Sequence, residues 1–209
     1  MPIIGTFSSA AVRGFRVSSR AFTKWNSADK SAEITLSGND LVATHSTSTN
    51  YGGARTVASK AAGKFYWEVT YTTAGSEDYI GVAKAGASLA AYMGSDTNAW
   101  GFYMQGNDVY YNGALAFSGA GSVSAASVIM LAMDVDAGKL WVGVGGSWRN
   151  SGDPAAGTGH VNSASLFTGV AMYPCYISRG ATAGAATANF GASAFSHSVP
   201  SGFTAGVPA

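Results

Sequence analysis

The run Gly63-Lys64-Phe65-Tyr66-Trp67-Glu68-Val69-Thr70-Tyr71 decides the fold. It is rich in aromatic and β-branched residues and alternates with period two, the pattern of a strand. Phe65, Trp67, Val69 and Tyr71 fall on one face, and Tyr66, Glu68 and Thr70 on the other. Further on, Met133-Asp134-Val135-Asp136-Ala137-Gly138-Lys139-Leu140-Trp141-Val142-Gly143 joins two apolar runs through a tight turn, with Gly138 placed for a positive φ. If these strands pair, the remainder wraps around them as a sandwich whose loops carry function.

Outward from that frame, Ala32-Glu33-Ile34-Thr35-Leu36-Ser37, the turn Gly38-Asn39-Asp40 and Leu41-Val42-Ala43-Thr44 form a hairpin signal. Phe22–Asn26, Gly53–Ala58, Tyr79–Ala83, Ala99–Met104, Val109–Asn112, Ser127–Val135, Lys139–Val144, Gly169–Ile177 and Thr187–Gly191 also read as strands. The polar run His45–Asn50 reads as a loop, Gly86–Gly94 as a helical turn or two, and the stretch from Gly145 to about Ser165 as a long loop. Phe203 implies a packed tail. The count is about eleven or twelve short strands and no long helix, which predicts an all-β, twisted antiparallel β-sandwich over residues 21–209.

Residues 1–20 read differently. Ile3, Ile4, Phe7 and Phe15 are isolated bulky residues among small ones, and with Arg13 they predict an arm that docks on another chain. The alternative is one more strand of the domain. The segment Ile4-Gly5-Thr6-Phe7-Ser8-Ser9-Ala10-Ala11-Val12-Arg13-Gly14-Phe15 resembles short stretches of bacteriophage tail and tail-fibre proteins.

Composition narrows the function classes. Of 209 residues, 47% are apolar and only 11% charged, and 28 are glycine, which suits a turn-rich protein lying against neighbours. The net charge of +1 comes from scattered Lys and Arg, so there is no basic patch for nucleic acid. No run approaches the ~18 apolar residues of a membrane span, and the start Met1-Pro2-Ile3-Ile4-Gly5 does not read as a signal peptide. Cys175 is the single cysteine, set in an apolar run, and reads as a buried inert thiol.

From Gly63 onward the signatures resemble, in order, the SPRY (B30.2-like) family. They are Gly63-Lys64-Phe65-Tyr66-Trp67-Glu68-Val69, Ile80-Gly81-Val82-Ala83, Trp100-Gly101-Phe102 with Tyr111-Asn112-Gly113, Val128–Asp134 with Gly138-Lys139-Leu140-Trp141-Val142-Gly143, Tyr173-Pro174, and Asn189-Phe190-Gly191. Gly145-Gly146-Ser147-Trp148 departs from the family's Asn-Gly at that place. The resemblance implies a twisted sandwich that binds partners through loops at one end and has no catalysis of its own.

The chemistry-bearing residues fit that expectation. His45, His160 and His197 lie in polar stretches without metal-ligand spacing and read as exposed loop residues, so no metal or cofactor is expected. Asp134-x-Asp136-x-Gly138 reads as a hairpin turn rather than a calcium loop. Glu68 with Glu77 or Asp78 leaves a glycosidase-like carboxylate pair as a minor alternative. The binding candidates are Trp148, Arg149 and Asn150, Tyr51 with Arg55, Tyr92, and Tyr176 with Arg179, because hot spots favour Trp, Tyr and Arg in loops. The expectation is a non-enzymatic bacteriophage virion protein, multicopy or homo-oligomeric, on capsid or tail. Its arm would hold other virion proteins, and its loops a host-surface protein or glycan. The alternatives are a soluble peptide-binding adaptor and a tail-fibre carbohydrate-binding module.

Overall fold

The structure, a computed structural model, describes residues 20–162 and 167–209. The expected arm, with Ile3, Ile4, Phe7, Arg13 and Phe15, lies outside the described residues. The described residues form fifteen strands and one short 3₁₀ turn, Arg149–Ser151. The strands are β1 (Trp25–Lys30), β2 (Ile34–Ser37), β3 (Val42–His45), β4 (Ser48–Thr56), β5 (Lys64–Thr73), β6 (Glu77–Ala83), β7 (Ala99–Tyr103), β8 (Asp108–Tyr111), β9 (Ala114–Phe117), β10 (Val128–Asp134), β11 (Lys139–Val144), β12 (Ser147–Trp148), β13 (Tyr173–Gly180), β14 (Ala185–Asn189) and β15 (Thr204–Ala205).

They make two sheets. One runs β1-β4-β13-β6-β7-β8-β9 and the other β12-β11-β10-β5-β14-β3-β2. Every neighbouring pair is antiparallel except β15, which joins β5 in parallel at Phe65 and Ala205's partner Tyr66. The expected alternation of β5 holds: Phe65, Trp67, Val69 and Tyr71 enter the core between the sheets, where Ile129, Leu131, Met133, Leu140 and Val142 face Ile80, Val82, Trp100, Phe102 and Val109. A fully buried residue of this size contributes about 1.5–3 kcal/mol relative to exposure. Tyr66 points to the outer face, against Met130, Ala132 and Trp141. That face is covered by the tail, with Phe195 at 5.0 Å from Tyr66 and Phe203 at 5.9 Å from Trp141.

Several sequence expectations need correction. Gly86–Gly94 forms turns rather than helix, since its apolar side chains are held by the sheet beneath it. β4 begins at Ser48, so the expected His45–Asn50 loop shrinks to Ser46-Thr47. His45 is not an exposed loop residue: it ends β3 fully buried, its Nε2 3.2 Å from the Asn50 carbonyl. His160 and His197 are half-buried. β9 was not expected, and β13 starts at Tyr173 because Gly169 occupies a turn at φ 69°. Cys175 is fully buried, as expected, and burial pushes its thiol up to about 12. Asp134 and Asp136 brace the hairpin turn through the amides of Ala137 and Gly63, both at 3.0 Å. Among the described residues no helix is long and apolar enough to cross a membrane.

Candidate binding site

The antiparallel pairing brings the β3–β4, β5–β6, β7–β8 and β13–β14 connections, and the turn between β11 and β12, to one end of the sandwich. On the β4–β13 side of this end lies a cavity of about 370 Å³, lined by Ser31, Glu33, Thr49, Asn50, Tyr51, Ala90 and Arg179.

Its wall is a fixed polar network. Tyr51 Oη donates to Glu77 Oε2 at 2.5 Å. Arg179 donates from Nε to the Thr49 carbonyl at 2.9 Å and from Nη1 to Glu77 Oε1 at 3.2 Å. Its guanidinium sits 5.0 Å from the centroid of the Tyr51 ring. β13 pairs with β6 so that Arg179 faces Glu77, which explains how residues distant in sequence meet. Burial and the Glu77 bond raise the Tyr51 pKa, so the phenol stays a donor. The Tyr51 bond, then the Glu77 charge, raise that of Arg179. Glu33 reaches the cavity because Gly52 leaves room: a Cβ there would stand 2.6 Å from Glu33 Cβ.

Tyr51 also begins an aromatic layer on the outer face of its sheet. Tyr79 stacks on Tyr103 at 4.9 Å, and Tyr92 lies 6.4 Å from Tyr51, 6.1 Å from Tyr79 and 6.1 Å from Tyr110. Tyr92 belongs to the 84–98 connection, which folds back over this face with Ala87, Leu89 and Met93. Arg55 holds that connection down. It grips Asp29 with two 2.8 Å bonds and donates to the Ala87 carbonyl at 2.7 Å. Burial pulls its pKa down, but the Asp29 bond and charge outweigh burial and raise it.

The structure therefore sorts the expected site residues. Tyr51 and Arg179 line the cavity, and Tyr92 packs beside them. Arg55 is buried beneath the connection. Tyr176 is fully buried, so it supports this end from within: its Oη donates to Asp78 Oδ1 at 2.8 Å. Buried Asp78 also accepts from Tyr71 Oη at 2.5 Å, from the Gly75 amide at 2.7 Å and from Gln105 Nε2 at 3.0 Å. Trp148, Arg149 and Asn150 follow the β11–β12 turn at the same end but apart from the cavity: Trp148 packs 6.3 Å from Tyr66 on the outer face of the other sheet, Arg149 Nε donates to Asn107 Oδ1 in the β7–β8 turn at 2.8 Å, and Asn150 Nδ2 donates to the His160 carbonyl at 2.9 Å. Sequence reasoning missed Glu33, Glu77 as the partner of Arg179, and Asp78 as a hub. Asp78 left one usable signal, a carboxylate at a core-facing position of an apolar strand.

Of the three acidic groups considered for hydrolysis, Asp78 is fully buried beneath four donors, and Glu68 and Glu77 do not converge. Glu68 is buried on the outer face of one sheet, accepting from Tyr66 Oη at 2.7 Å and the Ser196 and His197 amides at 2.8 Å. Glu77 sits on the outer face of the other sheet, with Tyr79 and Arg179. Among the described residues no cluster of three or more His, Cys, Asp or Glu could hold a metal ion.

No protein-family model matches the sequence, and no curated protein matches it. Solved structures do. The fold is similar to the SPRY domain of human HERC1, at 12% identity and a TM-score of 0.61, covering 78% of this chain and 96% of that one. It is also similar to the TRIM65 PSpry domain, at 15% identity and a TM-score of 0.60, covering 80% and 92%. The chain thus carries a SPRY-like β-sandwich.

Proposed function

We propose that the chain is a non-catalytic recognition module that takes a protein or peptide partner in the cavity beside Tyr51 and Arg179. The observation that carries this reading is the cavity itself. It combines an aromatic face, a guanidinium fixed by the Thr49 carbonyl, the Glu77 carboxylate and the Tyr51 hydroxyl, and the carboxylate of Glu33 at the loop end of a rigid frame. Side chains ordered before binding lose little entropy when a partner arrives. The similarity to SPRY domains supports a binding rather than a catalytic role, and so does the separation of Glu68 from Glu77 onto opposite outer faces.

We place this module on a bacteriophage particle, as capsid or tail decoration or as a host-surface contact, with residues 1–20 as its docking arm and multiple copies on the virion. The sequence of that arm and the low-charge, glycine-rich composition support this setting. A soluble peptide-binding adaptor and a carbohydrate-binding module of a tail fibre are the competing readings.

Selection from a random dodecapeptide library against the full chain tests the site. Peptides that bind the natural protein are expected to lose about tenfold or more in affinity on Arg179→Ala or Tyr51→Ala. Unchanged affinity in both variants would remove the cavity from the binding surface. Binding of bacterial surface polysaccharide in place of peptides would favour the carbohydrate reading, and release of reducing ends would overturn the non-catalytic one. Mass spectrometry of purified particles tests the virion setting, which fails if the protein remains with the lysate.

A further inference from the structure

Arg149 differs from the other arginines fixed by side-chain bonds. Arg55 is matched by Asp29 and Arg179 by Glu77. Arg149 is half-buried, and the side chain that holds it is a neutral amide, Asn107, reached through Nε at 2.8 Å. Asn107 is itself anchored, donating from Nδ2 to the Ala120 carbonyl at 3.0 Å. With Nε fixed, the two Nη nitrogens are left as a pre-oriented fork.

Among the described residues no carboxylate forms an ion pair with Arg149. Burial lowers the Arg149 pKa, and among the described residues no acid offsets it. Asp108, next to Asn107 in the chain, directs Oδ1 to the Gly119 amide at 3.0 Å and to Ser118 Oγ at 3.2 Å. Asn107 and Asn150 adopt φ of 59° and 55°, left-handed values that asparagine tolerates, and Ser151 adopts 49°, where a serine is uncommon. Such a conformation persists where the surrounding structure enforces it, often at binding sites.

We infer that Arg149 is the anchor of a second recognition point at this end of the sandwich, one that takes a carboxylate from an acidic segment of a partner protein. A planar fork pairs with the two oxygens of a carboxylate. A dianionic phosphate calls for more positive charge than this place offers: Arg149 is the only Lys or Arg between Lys139 and Arg179, and none lies between Lys84 and Lys139. The point lies on the β7–β8 side of the loop end, apart from the cavity beside Tyr51, so the two sites stand or fall separately.

Arginine Nε–Hε NMR signals of the full chain, titrated with acetyl-tetraglutamate amide, acetyl-tetraglutamine amide and inorganic phosphate, test the assignment. A saturable shift of the Arg149 signal with the glutamate peptide is expected, with none from the glutamine peptide and weaker binding of phosphate. Arg149→Lys, which keeps the charge but not the fork, should weaken binding by about tenfold. Lys24→Gln, at an exposed site, should leave it unchanged. Linear shifts, an equal response at Arg20, or wild-type affinity in Arg149→Lys would overturn the inference. Tighter binding of phosphate than of the glutamate peptide would overturn the carboxylate assignment.

Discussion

Gly81 and Gly101 face each other across β6 and β7, and Met93 fills the space their missing side chains leave on the outer face. A Cβ at Gly101 would stand 2.3 Å from the Met93 carbonyl oxygen and 2.6 Å from its Cβ; one at Gly81 would stand 2.0 Å from the Trp100 carbonyl oxygen. These contacts are mainly with backbone, which cannot step aside cheaply. Gly101→Ala is therefore expected to lift the 84–98 connection and cost about 1–3 kcal/mol, the usual range for overpacking. Gly86→Ala, with nothing within 4 Å of the added atom, should change stability by less than about 0.5 kcal/mol. Urea denaturation with amide exchange over residues 84–98 checks both. Equal stability of the two variants would show that Met93 is not seated there.

The same end of the molecule that holds the cavity depends on Asp78 from within. Tyr176→Phe removes one donor and should cost about 1 kcal/mol. Asp78→Ala strands the hydroxyls of Tyr71 and Tyr176, the Gly75 amide and the Gln105 side chain together, and should cost about 3 kcal/mol or more. In the Asp78→Ala background, Tyr176→Phe should cost little or stabilise, because the hydroxyl it removes has already lost its acceptor. A double-mutant cycle by chemical denaturation measures this coupling. Additive losses would mean the two residues do not act through their contact.

Much of this frame was legible in the sequence because β5 alternates its large residues and β10 and β11 are apolar runs joined by a turn at Gly138. The hairpin at Gly38-Asn39-Asp40 was legible too, since these residue types tolerate the left-handed region and here adopt φ of 58°, 58° and 62°. What stayed hidden depended on which strands neighbour each other. Ser48–Asn50 extends β4 through backbone pairing at an exposed rim, so no alternation of side chains marks it. β9 is an edge strand with exposed Leu115, and it lacks a buried face to write a pattern. The alanine-rich 86–94 stretch favours helix locally, but the seats that Gly53 offers Leu89, and Gly81 and Gly101 offer Met93, override that preference. Tyr51 and Arg179 were readable as candidates, while Glu77 as their shared partner required the β6–β13 register.

Arg55 makes the 84–98 connection testable from the opposite side. Lysine keeps the charge at this position but cannot reproduce the two parallel bonds to Asp29 together with the bond to the Ala87 carbonyl. Arg55→Lys should leave the sandwich folded and release the connection, so that trypsin cleaves after Lys84 about tenfold faster or more. A cleavage rate equal to that of the natural protein would show that the connection is held without Arg55.

Buried phenols set the alkaline limit of the fold. Burial first, then the carboxylates of Glu68 and Asp78 for Tyr66 and Tyr71, raise the pKa of these two tyrosines; burial with neighbouring acidic groups raises those of Tyr79 and Tyr176. In the unfolded chain each phenol loses its proton near pH 10, whereas the folded chain retains it. Their contribution is thus complete below about pH 10 and is lost as pH rises further, at about 1.4 kcal/mol per pH unit for each tyrosine. With four such groups, an ordinary stability of about 5–15 kcal/mol is exhausted within about one to three pH units above that point. Cooperative alkaline unfolding is expected, with these four phenols ionising only as circular dichroism reports loss of the sheets. The Cys175 thiol should become reactive to a thiol reagent in the same transition. Smooth ionisation of all ten tyrosines near pH 10, with the sheets intact, would contradict the burial of these four.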